Sequence, residues 1–142
     1  MFAVSASRLI RPVEEAEILA ALHSIGDSKA PGLDSFNAFF FKTSWQVVKN
    51  DVREAIFEFF DTSNLYLAVN CSLITLIPKS PEANTIKDMR PISCCTTIYK
   101  IISKIFTTRL AEVINYVVHE NQSAFVPGRI IHDGAGIDSG LQ

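Results

Sequence analysis

Apolar residues recur at helical spacing over Val13, Ile18, Leu19, Leu22 and Ile25, which predicts an amphipathic helix. Pro12 suits its first position, Glu14, Glu15 and Glu17 sit near its positive end, and His23 and Gly26 fit its last turn and cap. Residues 27–35, DSKAPGLDS, then form a turn-rich loop centred on Pro31 and Gly32. In the aromatic block that follows, Phe36, Phe39, Phe40 and Trp45 share roughly one helical face. Such a stripe is more often core than a base-stacking platform. Asn50 fits the N-cap of a third helix carrying Val52, Ala55, Ile56, Phe59 and Phe60, ended by residues 61–64.

The second half changes period. The β-branched and Leu-rich run from Cys71 to Ile77, stopped by Pro78, predicts a strand. Lys79 to Arg90 is a polar loop too long for a tight hairpin, and Arg90–Ser93 reads as a short extended segment. A long amphipathic helix is expected from Thr97 to Val117, with Ile98, Ile101, Ile102, Ile105, Leu110, Val113 and Ile114 on its apolar face and Lys100, Lys104 and Arg109 largely off it. Gln122–Arg129 is a second loop, and the glycine-bearing stretch after His132 has no periodicity. The pattern is α+β and mostly helical. Its one clear strand needs a partner, so the sheet is expected to be incomplete.

Composition narrows the class. The 142 residues suffice for one domain, and 48% hydrophobic content with a mean hydropathy of +0.21 argues against disorder. The apolar surplus suits a surface that expects a partner, or a part of a larger fold. A net charge of -2 and a pI near 5.9 argue against a free-standing nucleic-acid binder. Residues 1–78 sum to -3, residues 79–129 to +3 and the remainder to -2, so phosphate contact is expected from the middle-to-late segment. Cys71, Cys94 and Cys95 have neither a zinc spacing nor a disulfide pattern and read as reduced, partly buried thiols. With no signal-peptide pattern and no apolar run of membrane-spanning length, the expectation is a soluble intracellular chain, nuclear or cytoplasmic, with no membrane partner.

Lys79 and Arg90 carry the most chemistry. Each adjoins a proline at the edge of an extended segment, on opposite ends of one loop. If those segments pair, a lysine point charge and an arginine fork meet at the hairpin mouth and can grip a triphosphate. From spacing alone, two solvated loop cations fit better.

Five motifs in order then bear on that choice: KAPGLDSFNAFFFKTSW in residues 29–45, LIPK at 76–79, RPIS at 90–93, YKIISKIFTTRL at 99–110 and QSAFVPGR at 122–129. Together they resemble the reverse transcriptases of plant LINE-type (non-LTR) retrotransposons. The resemblance implies an incomplete right-hand polymerase: residues 1–11 a lead-in, 12–129 a partial domain of N-terminal extension, fingers and start of the palm, and 130–142 a divergent tail. It implies that Lys79 and Arg90 hold the phosphates of the incoming deoxynucleotide, and that Gln122, Phe125, Gly128 and Arg129 form a loop near nucleotide or template, with a plain connecting turn the equal alternative. In the family's early loop, Lys29, Pro31, Gly32 and Asp34 match, while Leu33 and Ser35 replace the usual proline and glycine. A structural turn is expected there, strained at Ser35 if that glycine served a positive φ.

The intact family uses Mg²⁺ held by carboxylates on F-x-K-A-Y-D and Y-A-D-D motifs, with RNA template and deoxynucleotides as partners. Neither motif occurs here, nor any Asp-Asp pair. The expectation is a fragment that binds no metal, has no catalytic residues and does not polymerise alone. Two other functions stay open: a residual nucleotide or single-stranded RNA module using Lys79, Arg90, Lys100, Lys104 and Arg129, or a helical interaction protein that self-associates through exposed apolar faces.

Overall fold

The computed structural model describes residues 9–118. Four helices and one antiparallel hairpin follow in the order α1 (Glu15–Ser24), α2 (Ala38–Thr43), α3 (Trp45–Thr62), β1 (Ser72–Pro78), β2 (Met89–Cys95) and α4 (Thr97–Val117). A 3-10 turn at Ile86–Asp88 leads into β2. The α+β, mostly helical reading holds, and about half of the described residues are helical.

Among the described residues, the buried core is drawn from the helices. Ile18, Ala21 and Leu22 of α1, Ala38 and Phe41 of α2, Val52 and Ile56 of α3, and Ile101, Ile102 and Ile105 of α4 form one buried cluster. Its residues repeat at three- and four-residue intervals, so each helix turns one stripe inward.

Helix α1 starts at Glu15, later than the sequence suggests. The carbonyls of Leu9, Arg11 and Pro12 all accept hydrogen bonds from Arg109 of α4, at 3.1, 2.7 and 3.2 Å. That commitment holds the lead-in outside the helix, and Glu14 in extended geometry takes the N-cap instead. The end near Gly26 agrees with expectation, and Lys42 Nζ donates to the carbonyl of Ile25 at 2.7 Å and to Asp27 at 2.6 Å. A cation thus meets the negative end of α1.

The aromatic block divides differently from the sequence reading. Asn37 caps α2 by accepting from Phe40 N at 3.0 Å, and this sets the phase so that Ala38 and Phe41 point inward. Phe36 and Phe39 are exposed, while Phe40 and Trp45 pack against the core as expected. Asn50 is no cap: α3 begins at Trp45 after a break at Ser44, and ends on Ser63 with φ of 60°.

Arg109 departs most from expectation. Read as lying largely off the apolar face of α4, it is only 1% exposed, while Leu110, expected on that face, is exposed. Its Nε and one terminal nitrogen donate to the two carboxylate oxygens of Glu17 at 3.1 and 2.7 Å. With the three lead-in carbonyls, the fork is fully used. Arg109 also lies 5.5 Å from the centre of the Phe60 ring, and Arg11 bonds both Glu17 and Glu112 at 3.0 and 3.3 Å. Periodicity cannot show a carboxylate arriving from another helix.

Two outcomes test this core. Because Arg109 is buried and spends its donors on fixed carbonyls, Arg109→Lys should cost about 3 kcal/mol in urea unfolding, the scale of breaking a buried ion pair. The Arg109 hydrogen bonds hold the Glu17 carboxyl at about 2 instead of the ordinary 4.5, against the opposing pull of burial. A carboxyl depressed on folding stabilises above its unfolded pKa and loses that effect as pH falls through the folded one. The stability gap between wild type and Glu17→Gln should therefore be flat above about pH 5 and shrink between pH 4.5 and 2. A gap that stays constant down to pH 2 would remove the ion pair from the account.

Candidate functional site

The loop over residues 27–36 meets the β2–α4 junction at close quarters. Gly32 is buried, and a Cβ there would lie 2.5 Å from Thr96 N and 2.7 Å from the Cys95 carbonyl carbon. Only glycine lets these backbones approach so closely. Around that contact, Lys100 Nζ donates to Ala30 O at 2.5 Å, Thr97 Oγ1 to Phe36 O at 2.9 Å and Thr96 Oγ1 to Val69 O at 2.9 Å. Thr96 also caps α4 by accepting from Tyr99 N. The loop is a structural turn, as expected. Ser35 does take a positive φ, 62°.

This junction fixes where the hairpin leaves the helical body. β1 and β2 pair in antiparallel register from Ser72↔Cys95 to Pro78↔Met89, so the strand expected over residues 71–77 and the short extended segment expected at 90–93 are partners. The ladder continues one step further through Lys79 N to Asp88 O at 2.8 Å. Because hydrogen-bonded and non-bonded pairs alternate, Pro78 and Pro91 fall where their nitrogens face the outer edges. They cost the hairpin no ladder bond and blunt those edges. β1 is exposed along its whole length, with Leu73, Ile74, Leu76 and Ile77 open, and Ile92 of β2 open as well. Neither face of the hairpin is covered among the described residues.

Lys79 and Arg90 come to one end of this hairpin. Arg90 pairs with Ile77, and Lys79 lies two residues beyond Ile77, so alternation puts both stems on the same face. Their heads differ. Lys79 Nζ is turned toward the loop and donates to Lys87 O at 2.7 Å, while the exposed Arg90 guanidinium has no protein partner among the described residues. The stems therefore share a face, while the ammonium is engaged by the loop carbonyl of Lys87.

Of the other candidate cations, Lys100 is anchored to Ala30, Lys104 is exposed on α4, and Gln122, Phe125, Gly128 and Arg129 lie outside the described residues. A broad groove elsewhere, between the lead-in and α3, is lined by Arg11, Arg53, Phe57, Phe60 and Phe106 and includes neither Lys79 nor Arg90. Cys71, Cys94 and Cys95 are free and half-buried. No helix among the described residues is long and apolar enough to cross a membrane.

Among the described residues no three His, Cys, Asp or Glu side chains come together in a way that holds a metal ion. The described residues thus do not fit a resident divalent cation. Sequence reasoning missed the close approach at Gly32 and the capping by Lys42. A lone glycine beside a proline is the only local trace of the first, and the second has none.

The stability of the early loop follows from these contacts. Ser35→Gly should raise stability by about 0.5–1 kcal/mol through relief of the left-handed backbone. Gly32→Ala should lower it by about 1–3 kcal/mol through overpacking against backbone. Thermal unfolding of both variants checks the pair, and equal midpoints would sink it.

Comparison with known proteins places this geometry. A family described as reverse transcriptase (RNA-dependent DNA polymerase) matches residues 77–141, starting within the hairpin and continuing past Asp133. The chain is also 36% identical over 126 residues to the "Transposon TX1 uncharacterized 149 kDa protein" of Xenopus laevis, a match over 89% of this chain. It spans about a tenth of that relative's length. That relative comes from a frog and gives no support to restricting the likeness to plant elements. The end of β1, the polar loop, β2 and α4 fall inside the family match, which relates the chain to reverse transcriptases, and the second match relates it to a transposon protein.

Proposed function

We propose that this chain is the nucleotide-gripping fingers portion of a LINE-type, non-LTR retrotransposon reverse transcriptase, in which Lys79 and Arg90 bind the phosphates of an incoming deoxynucleotide. The observation that carries this reading is the hairpin register. It sets both cationic stems on one face at the open end of the ribbon, within a segment that the family matches. Two kinds of cation there complement a polyphosphate: a rigid fork for bidentate contact and a mobile point charge. The unpartnered Arg90 is ready to take phosphate oxygens. Lys79 spends one of its three N–H donors on the loop, leaving two.

Orienting a triphosphate is the part of nucleotidyl transfer that such a hairpin supplies. The carboxylates that hold divalent ions in the intact family, Mg²⁺ by expectation, have no counterpart in the motifs of this sequence. RNA template and deoxynucleotide are its natural partners, and residues Gln122, Phe125, Gly128 and Arg129 are assigned to the neighbouring template side. On this reading the 142 residues bind nucleotide without polymerising it.

The test is direct. In titration calorimetry at low salt, the purified chain should bind dTTP, and the double variant Lys79→Ala/Arg90→Ala should bind about tenfold more weakly, or worse, for two lost charge-assisted contacts. Identical affinity in the double variant would refute the clamp. Primer extension on an RNA template with Mg²⁺ should yield no product, and extension by this chain would refute its inactivity.

A further inference from the structure

The polar loop carries an acid beside the two cations. Asp88 lies two residues before Arg90, and its main-chain oxygen accepts from Lys79 N at 2.8 Å. A carboxylate at this place opposes a phosphate ligand. Yet it forms no ion pair with Lys79, Lys87 or Arg90 among the described residues, and is turned to Thr85 instead. We infer that Asp88 is a positioning residue for the nucleotide clamp and acts through Lys79, by shaping the turn whose carbonyls hold that lysine at both ends. This deepens the nucleotide reading of the hairpin and rests on it.

The chain of contacts is continuous. Asp88 Oδ2 accepts from Thr85 N and Thr85 Oγ1 at 3.2 and 2.8 Å, and Asp88 N donates to Thr85 O at 3.0 Å. These bonds close the 3-10 turn Ile86–Asp88. The last two carbonyls of the turn then meet a single residue. Lys87 O accepts from Lys79 Nζ at 2.7 Å, and Asp88 O accepts from Lys79 N at 2.8 Å. Consecutive residues of one turn thus fix the lysine at its backbone and at its ammonium.

The energetic role follows from the side chain that is held. A lysine head on a four-carbon stem loses much rotamer freedom when it grips a ligand. A carbonyl that already holds the ammonium removes part of that loss before the ligand arrives. It takes one of three N–H donors, and two remain for phosphate oxygens. The turn relies on Asp88 because so short a 3-10 segment is weakly held by its own backbone. Thr85, Ile86 and Lys87 are all exposed, so packing does not hold it either. Without the carboxylate the Lys87 carbonyl loses its fixed direction, and the Lys79 ammonium is released to solvent.

The test exploits a difference of sign. Removing an acid that is only a nearby negative charge strengthens the binding of a polyphosphate, whereas removing a positioning residue weakens it. Titration calorimetry of the full chain with dTTP compares wild type, Asp88→Ala, Asp88→Asn, Lys79→Ala and Asp88→Ala/Lys79→Ala. Asp88→Ala should bind about threefold more weakly and Lys79→Ala about fivefold more weakly. Asp88→Asn keeps an acceptor oxygen for Thr85 and should bind at least as well as wild type. In the Lys79→Ala background Asp88→Ala should bring no further loss, because its effect passes through the ammonium. If Asp88→Ala binds as well as wild type or better while Lys79→Ala is impaired, this inference fails and the clamp stands. A further loss in the double variant, or an Asp88→Asn as weak as Asp88→Ala, would overturn the action through Lys79. Lys79→Ala binding like wild type, or no binding of dTTP by wild type, would overturn the clamp and this inference with it.

Discussion

A guanidinium taken out of water must find a partner for each donor, and that demand organises the helical body around Arg109. Its fork joins the carboxylate of Glu17 on α1 to three carbonyls of the lead-in, from a position well along α4. The contact bridges more than ninety residues of sequence. A buried ion pair is not by itself a large source of stability, since desolvation opposes the Coulombic gain. Its effect is to allow few arrangements. α1 must present Glu17 at one height along α4, and the lead-in must stay outside α1 so that its carbonyls are free to accept.

A second fixed point lies at the other end of α4. The buried Gly32 brings the early loop against Cys95 and Thr96, and Lys100, Thr97 and Thr96 stitch that loop and residue 69 to the start of α4. The hairpin ends at this junction. Its strands carry apolar side chains that the helical core does not cover, since that core is complete without them. The hairpin therefore stands away from the body with its charged end outward. That end combines rigid stems, set by the ladder, with a loop shaped by the Thr85–Asp88 capping box. A site that must receive a charged ligand from solvent benefits from both. Open apolar strands also suit a surface made to be covered by more protein, as the apolar surplus of the composition anticipates.

Much of this was legible along the chain. The helix from Thr97 to Val117 matches its expected span because one apolar stripe over six turns leaves little choice of phase. The first strand followed from its β-branched run and the extended segment opposite it from Arg90 preceding a proline, although their pairing stood only as a condition, and the strain at Ser35 followed from a missing glycine in a recognisable loop. Less legible was the aromatic block, where four phenylalanines in six residues fit several phases equally. The Asn37 cap selected Phe41 for the core over Phe36 and Phe39.

Sequence by itself determined the α+β class, the positions of the long helix and of the strands, and the presence of two cations at the ends of one polar loop. These are local properties, fixed by period, turn residues and proline. Tertiary structure alone decided that Arg109 is interior, that Pro12 lies outside α1, and that the Lys79 ammonium is engaged by the Lys87 carbonyl. Each of these depends on a partner remote in sequence or on the direction of a flexible side chain, and neither leaves a periodic trace.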